Sequence, residues 1–349
     1  MRIVDNLALV LSGGSFKVMF QIYLLIFLEQ RGIYPKEIFA ISGGVPNALS
    51  YILKKAWKLP HIWPKIEPHK LFEVDWYELF ILPLLQGTAP IFSGKGIFKS
   101  GFLESVIKRE VDFEAVLGSP IVLWVGVVDL AKGSTTWVSN KDVGMTPELF
   151  EEYVIASMRI PVFFRPHEQK IDLGLVSNLA IHKAVERSFE NILAINALPV
   201  SLEQISGVEN WPESNLRHDD IQHVNEATGH VKLTEWINHD VLAMEAHKRH
   251  WWIRLGSFLF KSVRESLDGF YFPNKRYINL CVISPPSNLQ IFRKWVSTGK
   301  MFKYVSRRTK VMYGYPSLVA REELLEAGKQ AVQISLVPFL KKNGIDVLQ

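Results

Sequence analysis

Along the first 60 residues the apolar positions fall into two kinds of run. Leu7 to Leu11 is unbroken and of strand length, and so is Ile38 to Ile41. Short runs without polar alternation are what strands covered on both faces require. Each run passes through small residues, Ser12-Gly13-Gly14-Ser15 and Ser42-Gly43-Gly44, into a longer apolar segment that reads as a helix. The first helix is expected over residues 17–31, where Arg31-Gly32 supplies a stop and Pro35 lies beyond. The second is expected from about residue 43 to 56, with Pro46 in its first turn, where a missing N–H costs little. Two such pairs in tandem make a βαβα unit, and these units build parallel sheets.

The same reading continues downstream. Ile121 to Val128 is expected as a central strand, Gly133 as a turn, and residues 134–138 as the next strand. A helix over 147–158 and a buried strand from Ile192 to Leu198 follow. Residues 60–100 are rich in Pro, Trp and Phe without a clean period, and residues 200–250 are dominated by Asn, His, Glu and Asp. A helix over 251–268, a strand from Tyr277 to Ser284 closed by Pro285-Pro286, and a helical segment over 317–341 complete the pattern. The expected fold is a three-layer α/β/α arrangement with a mainly parallel central sheet. Residues 1–200 would form the core that carries the site, 201–275 a polar and helical insertion, and 276–349 a strand and helices that complete the layers.

Composition narrows the function classes. Apolar residues make up 48% of 349, which supports a large core and excludes global disorder. The net charge of +5 is mild and gives no indication of nucleic-acid binding. Cys281 is the only cysteine, which excludes an intrachain disulfide and a cysteine-based metal site, so a reducing, cytoplasmic setting is the expectation. Asp5 interrupts any basic leader region. The longest apolar stretch, Met19 to Leu28, is broken by Gln21 and falls short of the roughly 20 residues a spanning helix needs. No transmembrane segment is expected, and membrane contact would be peripheral.

The two small-residue turns carry the candidate chemistry. A serine at a sharp strand-to-helix turn has its hydroxyl exposed, provided the residues two positions away are small; here these are Ala40 and Gly44. The helix that follows aims its N-terminus at the serine and favours developing negative charge. Ser42 could instead be an N-cap alone. Glycines at the other strand end let the amides of Gly13, Gly14 and Ser15 turn inward as an anion-binding nest, with Lys17 adding positive charge or facing solvent. Such a loop could equally cradle a phosphate, but the spacing Gly-x4-Gly-Lys-Ser/Thr is absent. A third segment, Lys170 to Asn178, places Asp172 in a turn, as a base for the serine or as an ordinary turn aspartate. Together the three segments point to a serine hydrolase with a Ser–Asp pair.

In this order the segments resemble the patatin-like phospholipase family. Its loop Gly-Gly-Gly-x-Arg/Lys-Gly is matched by Gly13, Gly14 and Lys17, its elbow Gly-x-Ser-x-Gly by Ser42 and Gly44, and its Asp-Gly-Gly/Ala by Asp172 and Gly174. Ala156 to Phe163 is similar to the family's Ala-Ser-x-x-Ile-Pro segment, Val128 to Gly133 to its Asp-Leu-x-x-Gly, and Asn178 falls at the asparagine downstream of the aspartate. The likeness covers about residues 7–200. Four positions depart from the pattern: Ser15, Val18 and Ala40 stand where the family has glycine, and Leu173 replaces the residue after the aspartate. The resemblance implies hydrolysis of a fatty-acyl ester in a lipid. Ser42 would attack, Asp172 would act as base, and the amides of Gly13, Gly14 and Ser15 would hold the oxyanion, with Lys17, Gly44 and Gly174 in support. It implies no metal and no organic cofactor.

Two other readings stand beside this one. A degenerate relative would bind lipid or protein without catalysis. A Ser–His–Asp esterase would draw on His182, close to Asp172, although only 41 residues precede Ser42, too few for the strands normally upstream of the elbow in an α/β-hydrolase. His239, His247 and His250 lack a metal-ligand spacing. Trp, Phe and Leu around 71–98 and the basic stretch 293–310 would give peripheral, salt-sensitive binding to anionic membranes.

Overall fold

The structure is a computed structural model in which residues 1–66, 99–160, 164–175, 177–198, 279–286, 289 and 318–347 are described. The expected insertion over 201–275, the helix over 251–268, and the segments 71–98 and 293–310 lie outside these residues.

Seven strands form one sheet: β1 (Arg2–Leu11), β2 (Ile33–Ala40), β3 (Val122–Asp129), β4 (Ser134–Ser139), β5 (Lys170–Asp172), β6 (Asn191–Ile195) and β7 (Asn279–Ile283). Their order is β4-β3-β2-β1-β6-β7, with β5 also paired to β3. The run β7-β6-β1-β2-β3 is parallel throughout. Only β4 and β5 run antiparallel to β3. The expected central strand is therefore interior, one place from the β4 edge.

Both faces of the sheet are buried, and alternate residues on a strand serve opposite cores. Leu7, Leu9, Leu11, Ile38 and Ala40 face one core; Ala8, Val10, Phe39 and Ile41 face the other. This two-sided burial is why β1 and β2 read as unbroken apolar runs. The helices are α1 (Ile22–Gln30), α2 (Gly44–Ile52), α3 (Leu59–Ile62), α4 (Gly101–Glu110), α5 (Phe113–Gly118), α6 (Pro147–Ser157), α7 (Ile181–Glu186), α8 (Leu318–Ala331) and α9 (Val337–Lys342). The first core lies under α1, α2 and α8, and the second under α7. The mostly parallel sheet with flanking helices is the α/β arrangement expected.

Three local boundaries differ from the sequence pattern. The first helical segment opens with a 3-10 stretch, Ser15–Gln21, before α1. Strand β2 starts at Ile33 and takes in Pro35; without an N–H there, the β1–β2 ladder slips between Val4 and Ala8. Helix α2 stops at Ile52 because Lys54 adopts a left-handed backbone with φ 56.

The register of β3 places the site. Strand β4 covers one edge of β3 over 124–129. Strands β2 and β5 must therefore share the other edge, with Ala40 opposite Val125 and Asp172 opposite Val127. They approach each other end to end, so the turn after Ala40 meets the turn after Asp172.

Candidate active site

The elbow forms where β2 ends. Ser42 has φ 51, a left-handed conformation that costs a side-chain-bearing residue energy and that surrounding structure must hold in place. The restraints are visible. The Gly44 N–H donates to the Ile41 carbonyl at 2.9 Å, and the Val45 N–H to the Ser42 carbonyl at 2.9 Å. A Cβ on Gly44 would lie 2.7 Å from the Ser12 carbonyl oxygen and 3.0 Å from that of Leu11. Only glycine lets α2 start this close to the end of β1.

The Gly13–Ser15 loop passes directly beside Ser42. A Cβ on Gly13 would lie 2.6 Å from Ser42 Cβ and 3.3 Å from its Oγ. The Gly13 carbonyl accepts from the Ser12 hydroxyl at 3.1 Å and from Asn178 Nδ2 at 3.4 Å. Because the peptide unit is planar and trans, this fixes the Gly14 N–H on the opposite side. Gly14 and Ser15 have positive φ, and the Lys17 N–H closes the turn on the Gly14 carbonyl at 3.0 Å. Among the described residues, none accepts a hydrogen bond from the amides of Gly13, Gly14 or Ser15. Burial lowers the Lys17 ammonium to about 8.

Asp172 completes the group. It is 2% exposed, and the Ser42 side chain lies beside its carboxylate and favours the charged form. The Gly174 N–H donates to Oδ1 at 2.7 Å. Burial pushes its pKa up to about 7, while Ser42 and the Gly174 amide pull the other way. A buried carboxyl with a raised pKa beside a strained serine is the kind of group from which a general base can be made. Leu173, the departure beside it, points into the second core: a Cβ on Gly126 would lie 2.4 Å from Leu173 Cδ2.

Ser15, Ser42 and Gly43 form the polar end of a cavity whose other walls include Leu59, Leu103, Ile107, Met158 and Phe164. The site therefore opens onto an apolar chamber. Among the described residues no cluster of three or more His, Cys, Asp or Glu is placed to hold a metal ion. His167 bridges to Lys170 through its backbone, in the turn just before β5, the strand that carries Asp172. The side chain of His182, together with His69, His239, His247 and His250, lies outside the described residues.

The sequence pattern missed what holds the loop. Gln21 donates through Nε2 to the carbonyls of Ser12 at 3.0 Å and Ile195 at 3.2 Å. Asn47 Nδ2 donates to Gln21 Oε1 at 2.9 Å, and Trp63 Nε1 donates to Asn47 Oδ1 at 2.8 Å. The Ala197 N–H donates to the Ser12 hydroxyl at 2.7 Å. All of these side chains are buried. The signal was Gln21 itself, an amide interrupting the longest apolar run, which a satisfied buried network explains.

Fold and site together define an α/β protein with a serine and a carboxylate at the C-terminal ends of a mostly parallel sheet. The family model for patatin-like phospholipase matches residues 9–185, and the chain belongs to that family. The matched span holds the loop, the elbow and the Asp172 turn. It is a family of lipid acyl hydrolases. A search of curated proteins finds no match to the chain.

Proposed function

We propose that the protein hydrolyses fatty-acyl esters of lipids through a Ser42–Asp172 dyad. The observation that carries this reading is Ser42, held at φ 51 at the mouth of an apolar cavity and beside the buried carboxylate of Asp172. Ser42 Oγ attacks the ester carbonyl and its proton passes to Asp172. The amides of Gly13, Gly14 and Ser15 face the developing oxyanion. Asp172 returns the proton to the departing alcohol, leaving an acyl group on Ser42. It then takes a proton from water as that water attacks the acyl-enzyme, and passes it to Ser42 Oγ as the bond to the acyl group breaks and the fatty acid is released.

The apolar chamber supports a long acyl chain rather than a short one. Each methylene moved from water into such a site contributes about 0.8 kcal/mol. The four departures from the family motif leave the nucleophile, the carboxylate and the first two loop glycines in place. The competing reading, a silent lipid binder, rests on those departures.

A fluorophosphonate probe separates the two, because it reacts only with an activated serine. The purified chain should label, and Ser42→Ala should not. Hydrolysis of a fatty-acyl ester series should follow the same pattern and improve with chain length. Absence of both labelling and turnover in the wild type would assign the chain to the silent class.

A further inference from the structure

From Ala56 to Lys65 the chain winds as a 3-10 turn, α3 and a second 3-10 turn. Its inner residues Ala56, Leu59 and Trp63 are buried, and Trp63 anchors the Asn47 network. The outer face carries Trp57, Lys58, His61 and Lys65. Trp57 is 55% exposed, and the Lys58 ammonium lies 5.4 Å from its ring centroid. A large ring left half in water among cations is the composition of a segment that lies in a membrane interface, with the ring at headgroup depth.

A second observation ties this face to the site. Between it and α4 lies a cleft of about 400 Å³ that includes Trp57, His61, Lys65, Phe102 and Arg109 in its lining. It shares Ile62, Ile66, Val106 and Glu110 with the apolar cavity that reaches Ser42. The carboxylate in this cleft, Glu110, is paired with Arg109 at 2.9 Å. That leaves Lys58 and Lys65 to set the sign of the rim, with Lys54 and Lys55 just before them in sequence.

We propose that the outer face centred on Trp57, Lys58 and Lys65 docks the protein onto a bilayer carrying anionic phospholipids. The proposal rests on the reading of Ser42 as a lipid hydrolase and names how that site meets its substrate. Cationic side chains match the anionic surface, and the exposed indole enters the headgroup layer. The shared residues set the cleft directly beside the apolar cavity at Ser42, so a lipid drawn from the bilayer has only this mostly apolar wall to pass. An acyl chain following it avoids exposing each methylene to water.

The test is co-sedimentation of the full chain with phosphatidylglycerol-containing vesicles and with pure phosphatidylcholine vesicles. Using the Ser42→Ala background removes turnover, so docking is read apart from catalysis. The protein should pellet with the anionic vesicles at low salt and be released as salt rises. Each lysine near an anionic surface accounts for about fivefold in affinity, so K58E/K65E should weaken association by about 25-fold or more. Trp57→Ala should weaken it severalfold. Lys36→Glu, on β2 roughly 20 Å of strand before Ser42, should change it by less than about twofold. Thermal unfolding of each variant checks that the fold is retained.

Equal pelleting of K58E/K65E and the parent would overturn the proposal, and so would no pelleting of the parent at low salt. Release from vesicles by millimolar glycerol phosphate would assign the cleft to a single phosphate group and overturn docking as well. Failure of the wild type to hydrolyse short, water-soluble esters would instead count against the catalytic reading, whatever the vesicles show.

Discussion

Two buried carboxylates lie near opposite ends of the same stretch of sheet, and they are treated in opposite ways. Glu37, on β2, is 4% exposed and fully partnered: Arg187 donates to it at 2.8 and 3.1 Å and Trp124 Nε1 at 2.6 Å. Arg187 also stacks on Trp124, 5.1 Å from the ring centroid. Asp172, where β5 meets the end of β2, is as deeply buried. The Gly174 amide donates to it, and among the described residues no cation pairs with it. A carboxylate clamped by a guanidinium holds structure. One buried without a cation has its pKa raised by that burial, which brings proton exchange with a neighbour within reach. The contrast distinguishes a structural carboxylate from the one proposed as reactive without reference to any motif.

The comparison breaks most sharply by neutralising one carboxylate and unclamping the other. Asp172→Asn should reduce ester hydrolysis by about 1000-fold or more, as loss of a catalytic base does. Arg187→Ala, which unclamps Glu37, should leave the rate within about twofold. Its cost is stability, about 1–2 kcal/mol rather than the 3–5 of a fully buried pair, because Arg187 is half-exposed and solvent screens it. Denaturant unfolding and initial rates on both variants check this. A dead Arg187→Ala that still folds would erase the distinction.

The loop beside the reactive carboxylate should tolerate less than its surroundings. Gly13→Ala drives a Cβ to 2.6 Å from Ser42 Cβ and should lower the rate by about 100-fold, since displacements near 1 Å carry that cost. On the other flank of the elbow, Ala40→Gly should keep or raise activity and Ala40→Val should abolish it. Equal rates for wild type and Ala40→Val would remove the steric argument.

Titration sharpens the contrast further. Hydrolysis requires the Asp172 carboxylate, so the rate should rise as pH passes through about 7. Stability should move the other way. Burial raises the Asp172 pKa above its unfolded value of 3.8, so the folded state holds that proton more tightly. Its contribution to stability is full below pH 4 and lost as pH rises through 7. Asp172→Asn should therefore gain stability over wild type at pH 8 and little at pH 4. A flat difference between the two pH values would place the raised pKa in doubt.

The smallest expected effect is at histidine. His167→Ala should leave hydrolysis within about twofold, because its contacts run through the backbone of the turn before β5. A loss comparable to Ser42→Ala would move the base from Asp172 to a triad.

Much of this arrangement was legible beforehand. The runs 7–11 and 38–41 read as buried parallel strands because two-sided burial leaves no polar alternation to confuse them. Ser42, Gly44 and the Gly13-Gly14 pair were visible because steric crowding at an elbow admits few residue types. Boundaries were less legible. Pro35 lies inside β2 because a register slip in β1 absorbs its missing N–H, and Lys54 ends α2 where no glycine marked the place. Both depend on neighbours distant in sequence.

The sequence by itself determined the strand–turn–helix units, the small residues at their joints and the family they belong to, because these obey local sterics and hydrophobic periodicity. Only the tertiary structure decided which groups meet. Asp172 reaches Ser42 because β2 and β5 share one edge of β3, and no local pattern encodes that pairing. Gln21, Asn47 and Trp63 support the Ser12–Gly13 turn because three segments close around it, turning an interruption in an apolar run into a hydrogen-bonded brace. Periodicity reports which face of an element is buried, but it is silent on which partner buries it.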